Sequence, residues 1–350
     1  MVETIRQARA WLKNVSFAEF KEEIEERVIG QPDLVVVLAQ VRNYIEAIGY
    51  GRPINHNIII AAPSGSGKTE TYRALRSYFE EYIPLLVVSI VDISQITAAG
   101  FRGAEPYEIV RDFFRRRDPN PYGLCFLDEL DKKLLPSYSA HGNDTNAETQ
   151  SNLLTIIEGS TVSDRQGKCI DTSRIMFVGM GSFDKFRDDQ TLEANQIGFG
   201  AEEKEKDPFC HITKEDMVKS GALHELIGRF PIVVNYDSLS EDNIRKVIEK
   251  IAFSISETFG CDLDIGEKYE AYLLEHAASR FGCREIDSLL RESVLREYAK
   301  TLDEDKKGQV LIIELIDKDN SSHKWREPTT QEKKLNDMIS DFVDDTDVFS

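Results

Sequence analysis

Two short segments of the chain combine residue types that bind and hydrolyse phosphate esters. The first follows the apolar run 57–62 and precedes a stretch with helical spacing of apolar residues. Its glycines allow backbone N–H groups to turn inward around an anion, and the N-terminus of a following helix favours negative charge. In this pattern Lys68 is expected to reach the β and γ phosphates of a nucleotide, and Thr69 to ligate Mg²⁺. The segment consists of Gly65, Ser66, Gly67, Lys68 and Thr69.

This loop departs at one position from the pattern G-x-x-x-x-G-K-[ST], because Ala62 stands where the first glycine is expected. The tripeptide G-K-T also occurs by chance in ordinary loops. The prediction therefore depends on the flanking elements. The apolar residues after Thr69 recur at helical spacing, as a crossover helix requires. They are Tyr72, Leu75, Tyr78, Phe79 and Tyr82.

The second segment is an apolar run, 123–127, that ends in Asp128 and Glu129. An acid at the carboxyl end of a neighbouring parallel strand is expected beside the phosphate loop. There Asp128 can hold a hydrated Mg²⁺ and Glu129 can polarise the attacking water. The alternative is a strand followed by a solvated acidic turn. We interpret the next residues, 131–133, as a plain charged turn.

Five short apolar runs alternate with stretches of helical period. Strands that are apolar along their whole length are typical of a parallel sheet buried on both faces, so the sequence predicts an α/β domain. The predicted strands are 57–62, 85–91, 123–128, 174–180 and 230–236.

A second, smaller and mostly helical domain is expected to follow. A capping-box pattern at Ser238 and Glu241 opens a helix that Gly260 closes. Two further helical segments and a strand-like run come next, at 266–281, 284–302 and 309–316. We therefore expect an unassigned N-terminal segment, a large α/β domain, a small helical domain and a polar acidic tail. Their limits are 1–20, 21–236, 237–318 and 319–350.

Charge and composition exclude several classes of protein. The 350 residues carry 43 Lys and Arg against 62 Asp and Glu, a formal net charge of -19 that disfavours nucleic acid as a ligand. No apolar run approaches the roughly 20 residues that span a bilayer, so we expect no membrane insertion. The five cysteines are scattered and form no C-x-x-C pair, which indicates a reducing cytoplasm and no structural metal.

Several motifs in the same order resemble those of the ClpX-type AAA+ unfoldases, between about residues 28 and 302. The segment 28–31 (V-I-G-Q) resembles the family's base-contacting segment, which assigns Val28 and Ile29 to the nucleotide base. The phosphate loop and 127–132 resemble its Walker A and Walker B motifs, and 153–159 and 226–231 resemble two further motifs. The resemblance implies ATP with Mg²⁺, a homo-hexamer and protein substrates.

Two arginines match positions where the family places positive charge against the γ-phosphate. Arg229 corresponds to the arginine finger, which reaches the nucleotide of the neighbouring subunit. Arg284 corresponds to a sensor on the small domain. The alternative for each is an ordinary surface salt bridge.

Two further loops resemble elements that handle polypeptides in this family. The segment 100–103 (G-F-R-G) corresponds to a pore loop in which Phe101 would grip the substrate, unless Phe101 packs in a core. The tripeptide Ile197, Gly198 and Phe199 corresponds to the loop that docks on a ClpP-type peptidase ring, unless it is a local anchor.

The sequence also departs from the family. No cysteine tetrad precedes Val28, so we do not expect substrate recruitment through the family's zinc domain, and the segment 163–171 is short. Ser182 is a candidate to orient water as a first sensor. We expect an ATP-driven unfoldase that feeds a ClpP-type peptidase. A non-proteolytic remodeller or scaffold and a degenerate ATP-binding protein are the alternatives.

Overall fold

A computed structural model describes residues 2–96, 106–116, 118–138, 142, 144–196, 207–277, 282–301, 308–317, 320–330 and 332–333. The chain divides into two compact units. The first ends at Leu239 and the second begins at Ser240. The sequence predicts this boundary three residues earlier, after residue 236.

The first unit is built on a five-stranded parallel sheet, which confirms the predicted α/β fold. Its strands are β1 (Ile58–Ala61), β2 (Val87–Asp92), β3 (Gly123–Asp128), β6 (Ile175–Gly181) and β7 (Ile232–Asn235). They lie in the order β2-β3-β6-β1-β7 and all neighbours are parallel. Each predicted strand begins and ends within two residues of the observed one. A separate hairpin joins β4 (Thr161–Ser163) to β5 (Cys169–Asp171).

Helices cover both faces of this sheet. Side chains alternate across a strand, so Ile58 and Ile60 of β1 enter one apolar core while Ile59 and Ala61 enter the other. The helices are α1 (Val2–Asn14), α2 (Phe17–Glu25), α3 (Leu34–Tyr50), α4 (Lys68–Tyr82), α5 (Asp131–Leu134), α6 (Thr145–Ile157), α7 (Asp184–Gln196), α8 (Lys214–Lys219) and α9 (His224–Gly228). Two 3₁₀ helices lie at Ile93–Gln95 and Pro106–Arg115.

The N-terminal segment that the sequence left unassigned packs into the first unit. Ala8, Trp11 and Phe20 are at most 3% exposed and belong to the core that contains β1. The indole N–H of Trp11 donates to the Tyr78 hydroxyl at 2.9 Å. Residues 2–20 therefore help to form the large unit.

The second unit combines three helices with a three-stranded sheet. Its elements are α10 (Glu241–Phe259), β8 (Asp262–Ile265), α11 (Glu267–Ala277), α12 (Cys283–Tyr298), β9 (Val310–Asp317) and β10 (Asn320–Arg326). The sheet order is β10-β9-β8. The first helix is capped by Ser240, which accepts from the Asn243 N–H, and not by Ser238 as predicted.

The strand β10 corrects the predicted start of the acidic tail at residue 319. It pairs antiparallel with the apolar strand β9 over residues 320–326. Its own sequence, N-S-S-H-K-W-R, has a single large apolar residue, Trp325, which packs against the core of the unit. Pairing to β9 and not apolar periodicity forms this strand. In the described part of the chain, no helix is long and apolar enough to cross a membrane.

Candidate nucleotide site

The phosphate loop connects the fully buried strand β1 to α4. Gly65 and Gly67 adopt φ values of 79° and 97°, which other residues adopt only with strain. Gly67 occupies the N-cap position of α4, and no side chain among the described residues caps this helix end. The first N–H groups of α4 therefore remain available to an anion at the positive end of the helix.

Side chains of the loop fold over its own carbonyl groups. The Lys68 ammonium donates to the carbonyl oxygens of Ala62 and Pro63, the latter at 2.8 Å. The Ser66 hydroxyl donates to the Pro63 carbonyl at 2.6 Å. These bonds place a positive charge at the mouth of the loop, where a phosphate would bind. Thr69, the predicted Mg²⁺ ligand, is the second residue of α4 and half-buried.

Ala62 fits the position where the sequence pattern expects glycine. Its φ is not positive. Among the described non-glycine residues, only Glu129 and Phe183 have a positive φ. Its N–H donates to the Gly181 carbonyl at 3.1 Å, and its side chain is fully buried. The position thus does not require glycine here, and the substitution leaves the loop intact.

The predicted base-contacting segment lies beside the loop. Val28 is 2% exposed, and its Cγ1 lies 3.7 Å from the position that a Cβ on Gly67 would occupy. Ile29 is half-buried next to it. Gln31, to which the sequence assigns no role of its own, links the phosphate loop to Asp237. Its amide donates to the carbonyls of Ser66 and Asp237, both at 3.1 Å, and accepts from the Asp237 N–H at 3.0 Å.

Asp128 stands at the end of β3, on the same edge of the sheet as the phosphate loop. The prediction of an adjacent strand was wrong in one respect, because β6 lies between β3 and β1. Burial raises the pKa of the Asp128 carboxyl, and the positive charge of Lys68 opposes this rise. The carboxylate is therefore close enough to the Lys68 ammonium for their charges to interact.

Glu129 follows Asp128 in a left-handed conformation, with φ of 57°. Such backbone strain in a non-glycine residue persists only where surrounding contacts enforce it, and it is concentrated at functional sites. The Glu129 carboxylate is partly exposed and forms an ion pair with Lys132 at 2.5 Å. That hydrogen bond raises the pKa of Lys132. Lys132 is thus part of the site.

Asp131 also differs from the predicted charged turn. It is 8% exposed and its Oδ2 accepts from the Phe183 N–H at 3.0 Å and from the Ser182 hydroxyl at 3.3 Å. Burial raises the pKa of its carboxyl, while the Phe183 N–H and the charge of Lys68 act in the opposite direction. The sequence signal that could have revealed it is an acid two residues after the predicted catalytic glutamate, next to a buried leucine.

The family model of the AAA domain (Cdc48 subfamily) matches residues 54–233, just over half of the chain. The chain belongs to the AAA family of ATPases. The matched range includes the phosphate loop, both acidic residues, four of the five strands of the parallel sheet in full and the first two residues of β7.

Two curated relatives of this AAA ATPase carry the name "ATP-dependent Clp protease ATP-binding subunit ClpX". The protein from Treponema denticola is 28% identical over 274 residues, which cover 69% of this chain and 64% of the relative. The protein from Bacteroides fragilis is 25% identical over 337 residues, which cover 85% of this chain and 79% of the relative. The chain is similar to ClpX, as its motifs predicted, and it spans somewhat less than two thirds of the length of the first relative.

The arginines predicted to serve this AAA ATPase lie in different units. Arg229 directly follows α9 in the first unit, and its guanidinium forms an ion pair with Glu158, with both side chains at least 40% exposed. Within one chain, Arg229 therefore makes the surface salt bridge that was the alternative interpretation. Arg284 belongs to the second unit, where it is exposed in the first turn of α12.

The two predicted polypeptide-handling loops lie outside the described residues. These are Phe101 of the pore loop and the docking tripeptide Ile197, Gly198 and Phe199. Arg165 and Lys168, the charges near the short β4–β5 hairpin, contact the 3₁₀ helix at Pro106–Arg115. The Arg165 guanidinium lies 5.5 Å from the centroid of the Tyr107 ring, and the Lys168 ammonium donates to the Phe114 carbonyl.

Proposed function

We propose that this AAA ATPase binds ATP with Mg²⁺ at the site described above and uses hydrolysis to unfold and translocate protein substrates. The observation that carries the proposal is the convergence at one sheet edge of the uncapped α4 N-terminus, the Lys68 ammonium and the Asp128 carboxylate. A helix N-terminus and an ammonium bind phosphates, and a nearby carboxylate completes a site for the accompanying cation.

The donor set suits a Mg²⁺ ion that arrives with the nucleotide. Among the described residues, no group of three or more His, Cys, Asp and Glu side chains could hold a metal by itself. Mg²⁺ in nucleotide sites needs only one or two protein oxygens, because phosphates and waters supply the rest. Thr69 and Asp128 would supply those oxygens. When bound, the ion neutralises charge that develops on the phosphates.

Glu129 would act as the base that polarises the attacking water. The water oxygen forms a bond to the γ-phosphorus while the bond to the bridging oxygen of ADP breaks, and Glu129 accepts the proton of the water. To do this, the Glu129 carboxylate must break its ion pair with Lys132 and form a hydrogen bond to the water instead. Since the pair is exposed, this exchange costs little, about 0–1 kcal/mol.

We further propose that the chain assembles as a homo-hexamer, because the resemblance of its motifs implies this assembly and the Arg229 side chain is exposed, as a residue that reaches a neighbouring subunit must be. As an arginine finger it would complete the site of the neighbouring subunit, and such a finger is worth roughly 10³ to 10⁵ in rate. Arg284 would contact the nucleotide from the second unit. Val28 and Ile29 would contact the base.

Substrate handling would depend on Phe101 and on the tripeptide Ile197, Gly198 and Phe199. Phe101 would grip a polypeptide in a central pore, and the tripeptide would dock on a ClpP-type peptidase. The name of both relatives, ATP-binding subunit of a Clp protease, supports this partner. All five cysteines are free thiols, which is consistent with a reducing cytoplasm.

The test is a steady-state ATPase assay of the purified chain with Mg²⁺, run over a range of protein concentrations. If the ATPase activity per chain rises with protein concentration, this supports an assembly in which subunits share sites. Mixing an Arg229→Ala chain with a Glu129→Gln chain should restore a fraction of the sites. Absence of hydrolysis at every concentration contradicts the proposal.

The peptidase partner needs its own test. Co-sedimentation with a ClpP-type ring that Phe199→Ala abolishes supports docking. ATP-driven unfolding of a substrate by a chain that never binds the ring favours a non-proteolytic remodeller.

A further inference from the structure

The turns that follow β3 and β6 are held together by the buried residue Asp131. Its Oδ2 accepts hydrogen bonds from the Ser182 hydroxyl and the Phe183 N–H, at 3.3 and 3.0 Å. A backbone bond from the Leu130 N–H to the Met180 carbonyl, at 2.8 Å, adds to this contact. These hydrogen bonds therefore fix the position of the turn that carries Glu129 relative to the turn that carries Ser182.

Glycine at position 181 makes room for this carboxylate. A Cβ on Gly181 would lie 2.4 Å from Oδ1 of Asp131, a separation at which the side chain must shift. The same glycine pairs with Ala61 of β1, and its carbonyl accepts from the Ala62 N–H at 3.1 Å. Ser182 is thus one residue beyond the point where β6 contacts the start of the phosphate loop.

The turn that carries Ser182 is also held from its other side. Arg187 is 4% exposed, and its guanidinium donates to the Ser182 carbonyl and, at 2.8 Å, to the Cys210 carbonyl. Phe183 is fully buried with φ of 57°, a conformation that needs such contacts to persist. Two buried residues of opposite charge, Asp131 and Arg187, therefore define the position of Ser182.

We propose that Asp131 is a positioning residue for ATP hydrolysis, which holds the Ser182 hydroxyl so that its oxygen accepts a hydrogen bond from the attacking water. This inference rests on the proposed function. A hydroxyl has one donor and two acceptor lone pairs. Because the Ser182 proton is donated to Asp131, the lone pairs of its oxygen face outward. The water would then donate one hydrogen to Ser182 and the other to Glu129.

Four single variants test this role. Asp131→Ala removes both hydrogen bonds, whereas Asp131→Asn keeps an oxygen that can accept both. Gly181→Ala displaces the carboxylate from the opposite side without removing it. Lys185→Ala, which changes an exposed residue of α7, is the matched control. For each chain, kcat is measured per site that binds a fluorescent ATP analogue with Mg²⁺, together with the Kd of that analogue.

We expect Asp131→Ala and Gly181→Ala to lower kcat per bound nucleotide about ten- to a hundredfold, because small displacements of a positioning group have effects of this size. The Kd of the analogue should change less than about threefold, since the phosphate loop keeps its own contacts. Asp131→Asn should recover most of kcat. Amide hydrogen exchange in residues 181–187 should be faster in Asp131→Ala and normal in Asp131→Asn.

Different failures are distinguishable. A wild-type chain that neither binds nor hydrolyses ATP overturns the proposed function and this role with it. If the wild-type chain hydrolyses ATP and Asp131→Ala keeps the wild-type kcat per bound nucleotide, only the role of Asp131 is overturned, even where its melting temperature falls. An equal loss of kcat per bound nucleotide in Asp131→Asn and Asp131→Ala would also overturn this role. The ability of residue 131 to accept the two hydrogen bonds would then not explain the effect.

Discussion

Arg229 forms an ion pair with Glu158 of the same chain. Glu158 follows α6, and Arg229 follows α9, so the contact joins two helix ends of the first unit. Both side chains are exposed, and exposed pairs contribute only about 0–1 kcal/mol. The contact is therefore weak enough to be replaced by a nucleotide phosphate, and it would compete with the proposed role of Arg229 as an arginine finger.

The first prediction follows from this competition. Glu158→Gln should free the guanidinium, so half-maximal ATPase activity is reached at a chain concentration about two- to fivefold lower, the range that an exposed pair allows. The measurement is ATPase activity against chain concentration. Glu225→Gln, which changes an exposed carboxylate on α9, is the control. Identical concentration curves for wild type and Glu158→Gln would contradict the competition.

The second prediction separates nucleotide binding from hydrolysis. Glu129→Gln should keep ATP bound but hydrolyse it about 10²- to 10⁴-fold more slowly, because the base is lost and the loop is intact. Lys68→Ala should instead lose binding, since the ammonium at the loop mouth is removed. Equilibrium binding of a fluorescent ATP analogue and single-turnover hydrolysis measure the two steps. Wild-type turnover by Glu129→Gln would exclude it as the base.

The third prediction concerns pH and stability. Burial raises the pKa of Asp128 in the folded chain above its unfolded value, so the folded state binds this proton more tightly. As the pH rises from below the unfolded value of about 4, this residue therefore lowers the free energy of unfolding, until the folded pKa is passed. Asp128→Asn should raise Tm by about 1–3 °C at pH 7, lose this gain below about pH 4, and abolish hydrolysis.

Calorimetry at both pH values checks this result. The control is Asp164→Asn, because Asp164 lies in the turn of the β4–β5 hairpin, which is separate from the parallel sheet. A lower Tm for Asp128→Asn at pH 7 would show that the carboxylate stabilises the folded state. The burial cost would then not be the dominant effect.

The parallel sheet could be predicted from the sequence. The contacts made by the residues that follow β3 could not. Short continuous apolar runs such as 123–127, flanked by turn residues, indicate a buried strand, and glycine with lysine at a helix start indicates the phosphate loop. The contacts of Asp131 and Lys132 depend on the left-handed turn at Glu129, a conformation with no signature in the residue types. These two residues looked like a solvated turn for that reason.

Long-range packing is the second part that the sequence did not reveal. Trp11 belongs to an amphipathic helix, but its hydrogen bond to Tyr78 spans 67 residues. Similarly, β10 is polar and takes its conformation from β9. Patterns within a segment do not identify the partner that covers it.

The fourth prediction tests the N-terminal packing. Trp11→Ala removes a nearly buried side chain and should cost about 3–5 kcal/mol, which lowers Tm of the large unit by more than about 6 °C. Thermal unfolding followed by calorimetry measures the shift. Arg6→Ala is the control, because the Arg6 side chain is 78% exposed. Equal Tm values for Trp11→Ala and wild type would show that α1 contributes no stability.

The last prediction concerns Phe101. In the proposed pore-loop role, the aromatic ring of Phe101 would offer contact to any polypeptide whatever its sequence. Phe101→Ala should therefore keep near-normal ATPase activity and fail to unfold a stable tagged substrate, while Phe101→Tyr should retain unfolding. If Phe101 instead packs in a core, its removal costs about 3–5 kcal/mol and lowers Tm and ATPase activity together. Measuring Tm, ATPase and unfolding on one preparation distinguishes the two, and a destabilised, inactive variant would exclude the pore-loop role.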